Sequence, residues 1–374
     1  MMSGAAAGGR RVHPETAAFL ANALRGALGR EDPGEIRVSG EESRRLTPEG
    51  FSPIRVDRSA GRCGFVDGGT QELVGAPGLS VQLHRVYAGC WRGRERCEPA
   101  SRLAEFFSIA EAGIDGSLRY TTRIVPAVPG GQDALPDESD LSFSAMDPTL
   151  QEGGKRAPIV KSGDVVRRFA EWRAAAELVR ALSPGDAIVM DGSLQTAYTN
   201  EGRYCQAVGR AASAQGVVLC GLAKSSSLVT STGLPLVTAV DLMAGEHGVP
   251  LPWCYHVGER REKGEFATLY VVKLHRAADR AYRFEVRFDA GKPPAETEVE
   301  AVLASLAANA GDAGFPGYPY GLVDADRRAR VRIDEQAYYR GCLLAGIGDG
   351  RHRERLLACV RAGDAHGVLD RMIG

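Results

Sequence analysis

The segment DVVRRFAEWRAAAELVRALSPGDAIVMDGSL, residues 164–194, decides how this chain is read. Val165, Phe169, Trp172, Ala176 and Val179 recur at the period of an amphipathic helix. Ser-Pro-Gly-Asp at 183–186 ends that helix, because neither proline nor glycine extends it. The apolar run AIVM follows, short enough for a buried strand, and it delivers Asp191 with Gly192 and Ser193 behind it. A carboxylate at the end of a buried strand, beside a glycine, is a common way to present a metal ligand at a sheet edge. Glu171 sits on the flank of the helix's apolar stripe. Helix and strand joined by a tight turn pack antiparallel, so Glu171 and Asp191 are expected to converge. Taken alone, Glu171 reads sooner as an exposed glutamate and Asp191 as a strand-ending Asp-Gly turn; together they point to a site.

Upstream, GFVDGG at 64–69 repeats the pattern of apolar residue, aspartate, glycine and small residue, which singles out Asp67. A third Asp-Gly-Ser, at Asp115, has no apolar strand leading into it and reads as a turn between 101–113 and the strand-like 118–128. Residues 101–113 fit strand or helix, and 81–91 alternate as a half-buried strand. A first helix is expected over 14–29, followed by a polar connector to residue 59. The Gly/Pro/Asp-rich stretch 129–163 is long enough for a lid or an insertion. Downstream, GVVLCGLAKSSS at 216–227 reads as a buried strand opening into Lys224 and three serines, a phosphate grip or a polar turn. Strands at 252–257, 267–275 and 282–288 follow, the last two as a pair. Helices are expected at 296–310, after the turn at 314–323, and twice more before the end. No P-loop is present.

Strands mixed with long helices indicate an α/β chain with a mixed central sheet flanked by helices. Asp67, Glu171 and Asp191, on two strand ends and a helix, have the placement by which an RNase H-like fold binds divalent metal. Helical register adds a fourth carboxylate. In LVDADRRARVRI, Asp326 shares a stripe with Leu322, Ala329 and Ile333, so it is expected to face the sheet while Asp324 faces away.

The whole chain restricts the alternatives. Its 374 residues suit one large domain or two ordinary ones, with 46 basic residues against 47 acidic ones. Any nucleic-acid surface must therefore be a local patch. Eight cysteines without a C-x-x-C pair argue against a structural zinc site and a disulfide framework, and favour reduced thiols and a cytoplasmic location. No apolar run approaches the ~18–20 residues of a membrane span. The N-terminal MMSGAAAGGRR lacks an apolar core and is expected to be a disordered tip. The histidines form no ligand-spaced cluster, and neither a G-x-S-x-G elbow nor an H-E-x-x-H helix occurs. Carboxylates on rigid elements suit Mn²⁺ or Mg²⁺, and two such ions ~3.5–4 Å apart can hydrolyse a phosphodiester without a covalent nucleophile.

FVDGG, EWRAAAELVRALSPGDAIVMDGSL, CGLAKSSS and GYPYGLVDADRRARV, in that order, resemble the NurA nuclease family over roughly residues 60–345. The resemblance implies an RNase H-like nuclease domain at 60–345 with an insertion at about 92–163. Residues 1–59 would be an N-terminal helix and connector, and 346–374 a C-terminal helix. It also implies a homodimer and a Mn²⁺- or Mg²⁺-dependent DNA nuclease, of 5′–3′ exonuclease or endonuclease type, acting in end resection with a HerA-type hexameric ATPase. Carried over by position, Asp67, Glu171, Asp191 and Asp326 would hold the metal, and Lys224 would contact phosphate. Arg167 and Arg168 are candidate phosphate contacts from their place near the site. Asp-Gly-Gly stands at 67–69 where Asp-Gly-Ser is more usual in the family. The alternatives are a non-catalytic scaffold of the same fold that binds DNA or an ATPase, and an RNase H-like hydrolase acting on RNA.

Overall fold

A computed structural model describes residues 13–28, 32–38, 42–57, 61–128, 135–262, 264–289, 292–348 and 350–363. The N-terminal tip expected to lack structure, residues 1–11, lies outside them, as does 129–134 of the expected lid. In chain order come α1 (Pro14–Leu28), the two-residue strands β1 (Glu35–Ile36) and β2 (Arg44–Arg45), and β3 (Phe51–Pro53). Four longer segments follow: β4 (Cys63–Ala76), β5 (Leu79–Arg92), β6 (Glu95–Asp115) and β7 (Ser117–Pro126). Then come β8 (Ser142–Ser144), α2 (Lys161–Val179), β9 (Ala187–Asp191), α3 (Glu201–Gln215) and β10 (Val218–Ala223). The remainder is α4 (Leu236–Glu246), β11 (Trp253–Glu262), β12 (Glu265–Lys273), β13 (Tyr282–Phe288), α5 (Glu296–Asn309), α6 (Tyr320–Ala329), α7 (Ile333–Gly346) and α8 (Gly350–Gly363).

Eleven strands form one mixed sheet in the order β3-β11-β12-β13-β10-β9-β4-β5-β6-β7-β8. Its centre is diagnostic. β4, β5 and β6 form an antiparallel meander, β9 lies parallel to β4 on the other side, and β10 lies parallel to β9. Counted from β4, that is strand order 3-2-1-4-5 with the second strand reversed, the RNase H-like arrangement expected from the sequence.

Strand alternation separates two cores. Val66, Ile188 and Met190 pack with Phe169, Trp172 and Val208 under α2 and α3. Phe65 and Val189 pack with Val302, Leu306, Tyr318 and Leu322 under α5 and α6. Residues 101–113, which fit either element by pattern, belong to the long strand β6. The described part of 129–163 is not a free lid: Leu141, Phe143, Ala145, Leu150, Ala157 and Ile159 are buried in the α2-side core. On α1, Leu20 and Leu24 are exposed to solvent. Among the described residues, no helix is long and apolar enough to cross a membrane.

Candidate metal centre

Parallel pairing of β4 and β9 matches Val66 with Met190 and stops there. The next residue on each strand is an aspartate, so Asp67 and Asp191 stand side by side. Both follow Phe65 and Val189 by two residues, which turns their side chains toward α6. After β4 the sheet continues through β5 on one side, and after β9 through β10 on the other. Only Asp191 ends its strand; Asp67, expected at a strand end, lies within β4, which runs on to Ala76 paired with β5 alone, so the crevice opens beside Asp67 where β9 stops.

Helix α6 closes this crevice because its contact face is nearly bare. Gly321, Ala325 and Ala329, spaced four apart, are buried against the sheet. A Cβ on Gly321 would stand 2.1 Å from the Phe65 ring, and one on Gly69 would stand 2.2 Å from the Ala329 carbonyl oxygen. The second glycine of Asp67-Gly68-Gly69 is therefore what lets the end of α6 lie on β4, which gives a local reason for the unusual Asp-Gly-Gly. Asp326 then joins Asp67 and Asp191: one carboxylate oxygen from each lies within 4.8 Å of the others.

The charges of this cluster are poorly balanced. Burial, then Asp191 and Glu171, push the Asp67 carboxyl up to about 8, against the opposing pull of Lys224 and the Gly68 N–H. That N–H donates to Asp67 Oδ1 at 2.7 Å. Lys224, the first residue after β10, places Nζ 2.6 Å from Asp191 Oδ2 and 3.7 Å from Asp326 Oδ1. Arg330 reaches Asp326 Oδ2 at 2.7 Å from the exposed side. The Tyr318 hydroxyl donates to Asp191 Oδ1 at 3.2 Å, and burial followed by Asp191 drives its pKa far up. Three carboxylates facing one partly exposed lysine and one surface arginine leave room for a further cation. An all-oxygen donor set on rigid elements fits Mg²⁺ or Mn²⁺.

Four further sequence expectations need correction. Glu171 does not join the cluster. It lies on the α2 face of the sheet, close to Gly68, and ion-pairs with Arg167 and Arg168 while only 2% exposed. Arg168 is not available to a phosphate, since it also pairs with Glu201, donates to the Ser193 carbonyl and stacks on Trp172. Arg167 is more open but committed to Glu171. The α6 register is the reverse of that expected: Asp324 is buried, bonded to Arg96, Arg328 and the Tyr87 hydroxyl, whereas Asp326 keeps 38% of its side chain exposed. Asp326 still reaches the cluster, but from the rim. Asp115 is exposed as the last residue of β6, which turns into β7 through Gly116, and takes no part in the cluster.

Two contributors went unnoticed in the sequence. Tyr318 lies within the quoted GYPY block, and only its tertiary position reveals its bond to Asp191. Glu285, fully buried on β13, accepts from the Ser193 hydroxyl and the Leu194 N–H, so it fixes the loop that follows Asp191. Arg260 and Arg283 neutralise it. Isolated charged residues within the apolar pattern of β11 and β13 were the available signal, because buried charges must be paired.

No protein-family model matches the sequence, and no curated protein does either. Solved structures do match. Endonuclease V of Ciona intestinalis, in complex with a 24mer DNA containing an inosine followed by a ribo-adenosine, is 12% identical with a TM-score of 0.35; the match covers 84% of this chain and 97% of that one. The catalytic domain of human Endonuclease V is 11% identical with a TM-score of 0.34, covering 89% and 99%. Aquifex aeolicus Argonaute is 14% identical with a TM-score of 0.24, covering 74% of this chain and 28% of that one. These TM-scores are low, and the RNase H-like assignment rests on the strand order of the sheet itself.

Proposed function

We propose that this chain is a divalent-metal-dependent nuclease that hydrolyses phosphodiester bonds in DNA. The observation that carries the reading is the convergence of Asp67, Asp191 and Asp326 in the crevice between the parallel strands β4 and β9. These three would hold the ion. Mn²⁺ or Mg²⁺ supplies Lewis-acid stabilisation of charge on the phosphoryl oxygens and activation of water. The chain's own groups do the rest. Tyr318 orients Asp191, Glu285 anchors the loop after it, and α6 presents Asp326. Lys224, half-exposed beside the carboxylates, offers its ammonium to a phosphate oxygen. A two-ion arrangement would need Glu171 to leave Arg167 and Arg168 and join the cluster. The finer reading follows the sequence resemblance: a NurA-type, cytoplasmic, homodimeric enzyme of DNA end resection partnered by a HerA-type ATPase.

End-labelled single- and double-stranded DNA incubated with Mn²⁺, Mg²⁺ or EDTA tests this. We expect cleavage only with metal, and at least several hundredfold less in Asp67→Asn and Asp191→Asn variants that fold normally. Cleavage of RNA but not DNA under the same conditions would move the substrate class. One feature favours a non-catalytic scaffold instead: Lys224 Nζ already neutralises Asp191. DNA binding with no cleavage under any metal would select that reading.

A further inference from the structure

Away from the carboxylates, β5 and β6 place two thiols against each other. Cys90 and Cys97 are direct register partners in this antiparallel pair, next to the irregularity between Ala88 and Cys90. Cα atoms of opposed residues in such a pair are about 4.5–5.5 Å apart, within the range of about 4.4–6.8 Å that a disulfide spans. Both side chains turn to the α2 face, and Cys97 Sγ lies 3.4 Å from Cys90 Sγ. Side-chain rotation without backbone movement can close that gap to a bond of about 2.05 Å. Cys90 is buried, and burial followed by its bond to Cys97 raises its thiol pKa, whereas Cys97 is partly exposed. A cavity of about 440 Å³ opens onto the pair, lined by both cysteines with Arg96, Glu98, Ala100 and Ser101.

We propose that Cys90 and Cys97 form a peroxide-reactive dithiol that closes reversibly into a cross-strand disulfide. A small hydroperoxide entering the cavity meets Cys97, the accessible sulfur, with the Arg62 guanidinium, held by Asp186, near the pair. The Cys97 sulfur takes one oxygen as the O–O bond breaks, giving a sulfenic acid and water. The Cys90 sulfur attacks the Cys97 sulfur, the S–O bond breaks, and hydroxide leaves as water with the Cys90 proton. In sum the two thiols lose two electrons and two protons, and hydrogen peroxide becomes two waters. Reduction by a small dithiol reverses the step by exchange.

Three arginines between the cysteines, Arg92, Arg94 and Arg96, make the test direct, because trypsin separates the two unless a disulfide joins them. The full chain is treated with hydrogen peroxide, blocked with iodoacetamide, digested and mapped by mass spectrometry. The exposed Cys342 and Cys359 serve as internal references. We expect the Cys90 and Cys97 peptides to be joined in most molecules, at lower peroxide than oxidises the references, and released by dithiothreitol. In Cys97→Ser, Cys90 should remain fully alkylatable. Both thiols still alkylated at doses that oxidise Cys342 would overturn the proposal. So would Cys97 driven to sulfinic acid while Cys90 stays free, or either cysteine joined to a different one.

Discussion

Gly69→Ala is the substitution that most sharply tests how the carboxylates are brought together. The added methyl would meet the Ala329 carbonyl oxygen at 2.2 Å and its carbon at 2.9 Å, both backbone atoms that cannot rotate aside. Van der Waals separation needs roughly 1 Å of retreat by the end of α6. Overpacking of this kind costs about 1–3 kcal/mol, only partly offset by the ~0.4–1 kcal/mol that alanine gains over glycine through the unfolded chain. Asp326 lies one helical turn before Ala329, so the same retreat draws it away from Asp67 and Asp191. A misplacement of about 1 Å can lower a catalytic rate by ~10²-fold. The assay is a urea melt in EDTA together with Mn²⁺ titration and Mn²⁺-dependent cleavage. Gly113→Ala is the control, since a Cβ there meets no atom within 4 Å. It should be neutral or slightly stabilising, with Mn²⁺ affinity unchanged. If Gly69→Ala matched wild type in both stability and Mn²⁺ affinity, the account of α6 held by close backbone contact would be wrong.

Three further outcomes are expected. Asp326→Asn should weaken Mn²⁺ binding with little change in metal-free melting, whereas Asp324→Asn should lower the melting temperature by leaving Arg96 and Arg328 without their buried carboxylate; the reverse pattern would make Asp324 and not Asp326 the metal ligand. His84, buried between Thr70 and Ser108, is held by burial at about 3 against its ordinary 6.5, so its contribution is full above 6.5 and is lost as pH falls toward 3. By pH 5 that loss is about 2 kcal/mol, and urea midpoints of His84→Gln should not show it; a variant that keeps the full acid slope would remove His84 as the cause. Lys224→Ala should flatten the log–log salt dependence of DNA binding by about 0.7–0.9, the effect of one phosphate contact, while an unchanged slope would take Lys224 off the substrate.

The two aspartates were legible because strand alternation, a following glycine and an apolar lead-in are local features, and the parallel register sets them side by side; that β4 runs on past Asp67 to Ala76 was not, because Gly68 and Gly69 read as a strand stop. Asp326 lies in the cluster, but at its rim and not on the buried stripe expected of it. The expected stripe runs through Leu322, Ala329 and Ile333; Leu322 and Ala329 are buried, but α6 ends at Ala329 and Ile333 opens α7, exposed. The face of α6 that lies nearest the sheet is made of Gly321, Ala325 and Ala329, whose small size allows the helix so close. Glu171 failed to converge because α2 lies on the opposite face of the sheet from Asp67, a layer assignment that no local pattern specifies. The packing of 141–159 escaped notice because its anchors, such as Leu141, Phe143 and Ile159, follow no helical or strand period. The pairing of Glu285 with Arg260 and Arg283 joins residues on two strands, so only the fold discloses it.

The central claim is that Asp67, Asp191 and Asp326 form a divalent-metal site. The most direct measurement is an anomalous diffraction map of Mn²⁺-soaked crystals, compared with Mn²⁺ titration of the wild type and the three Asp→Asn variants in solution. The account predicts a manganese peak among these three carboxylates, with Lys224 Nζ moved off Asp191, and affinity lowered by every one of the substitutions. A map without that peak, joined to Mn²⁺ affinity that none of the substitutions changes, would contradict it.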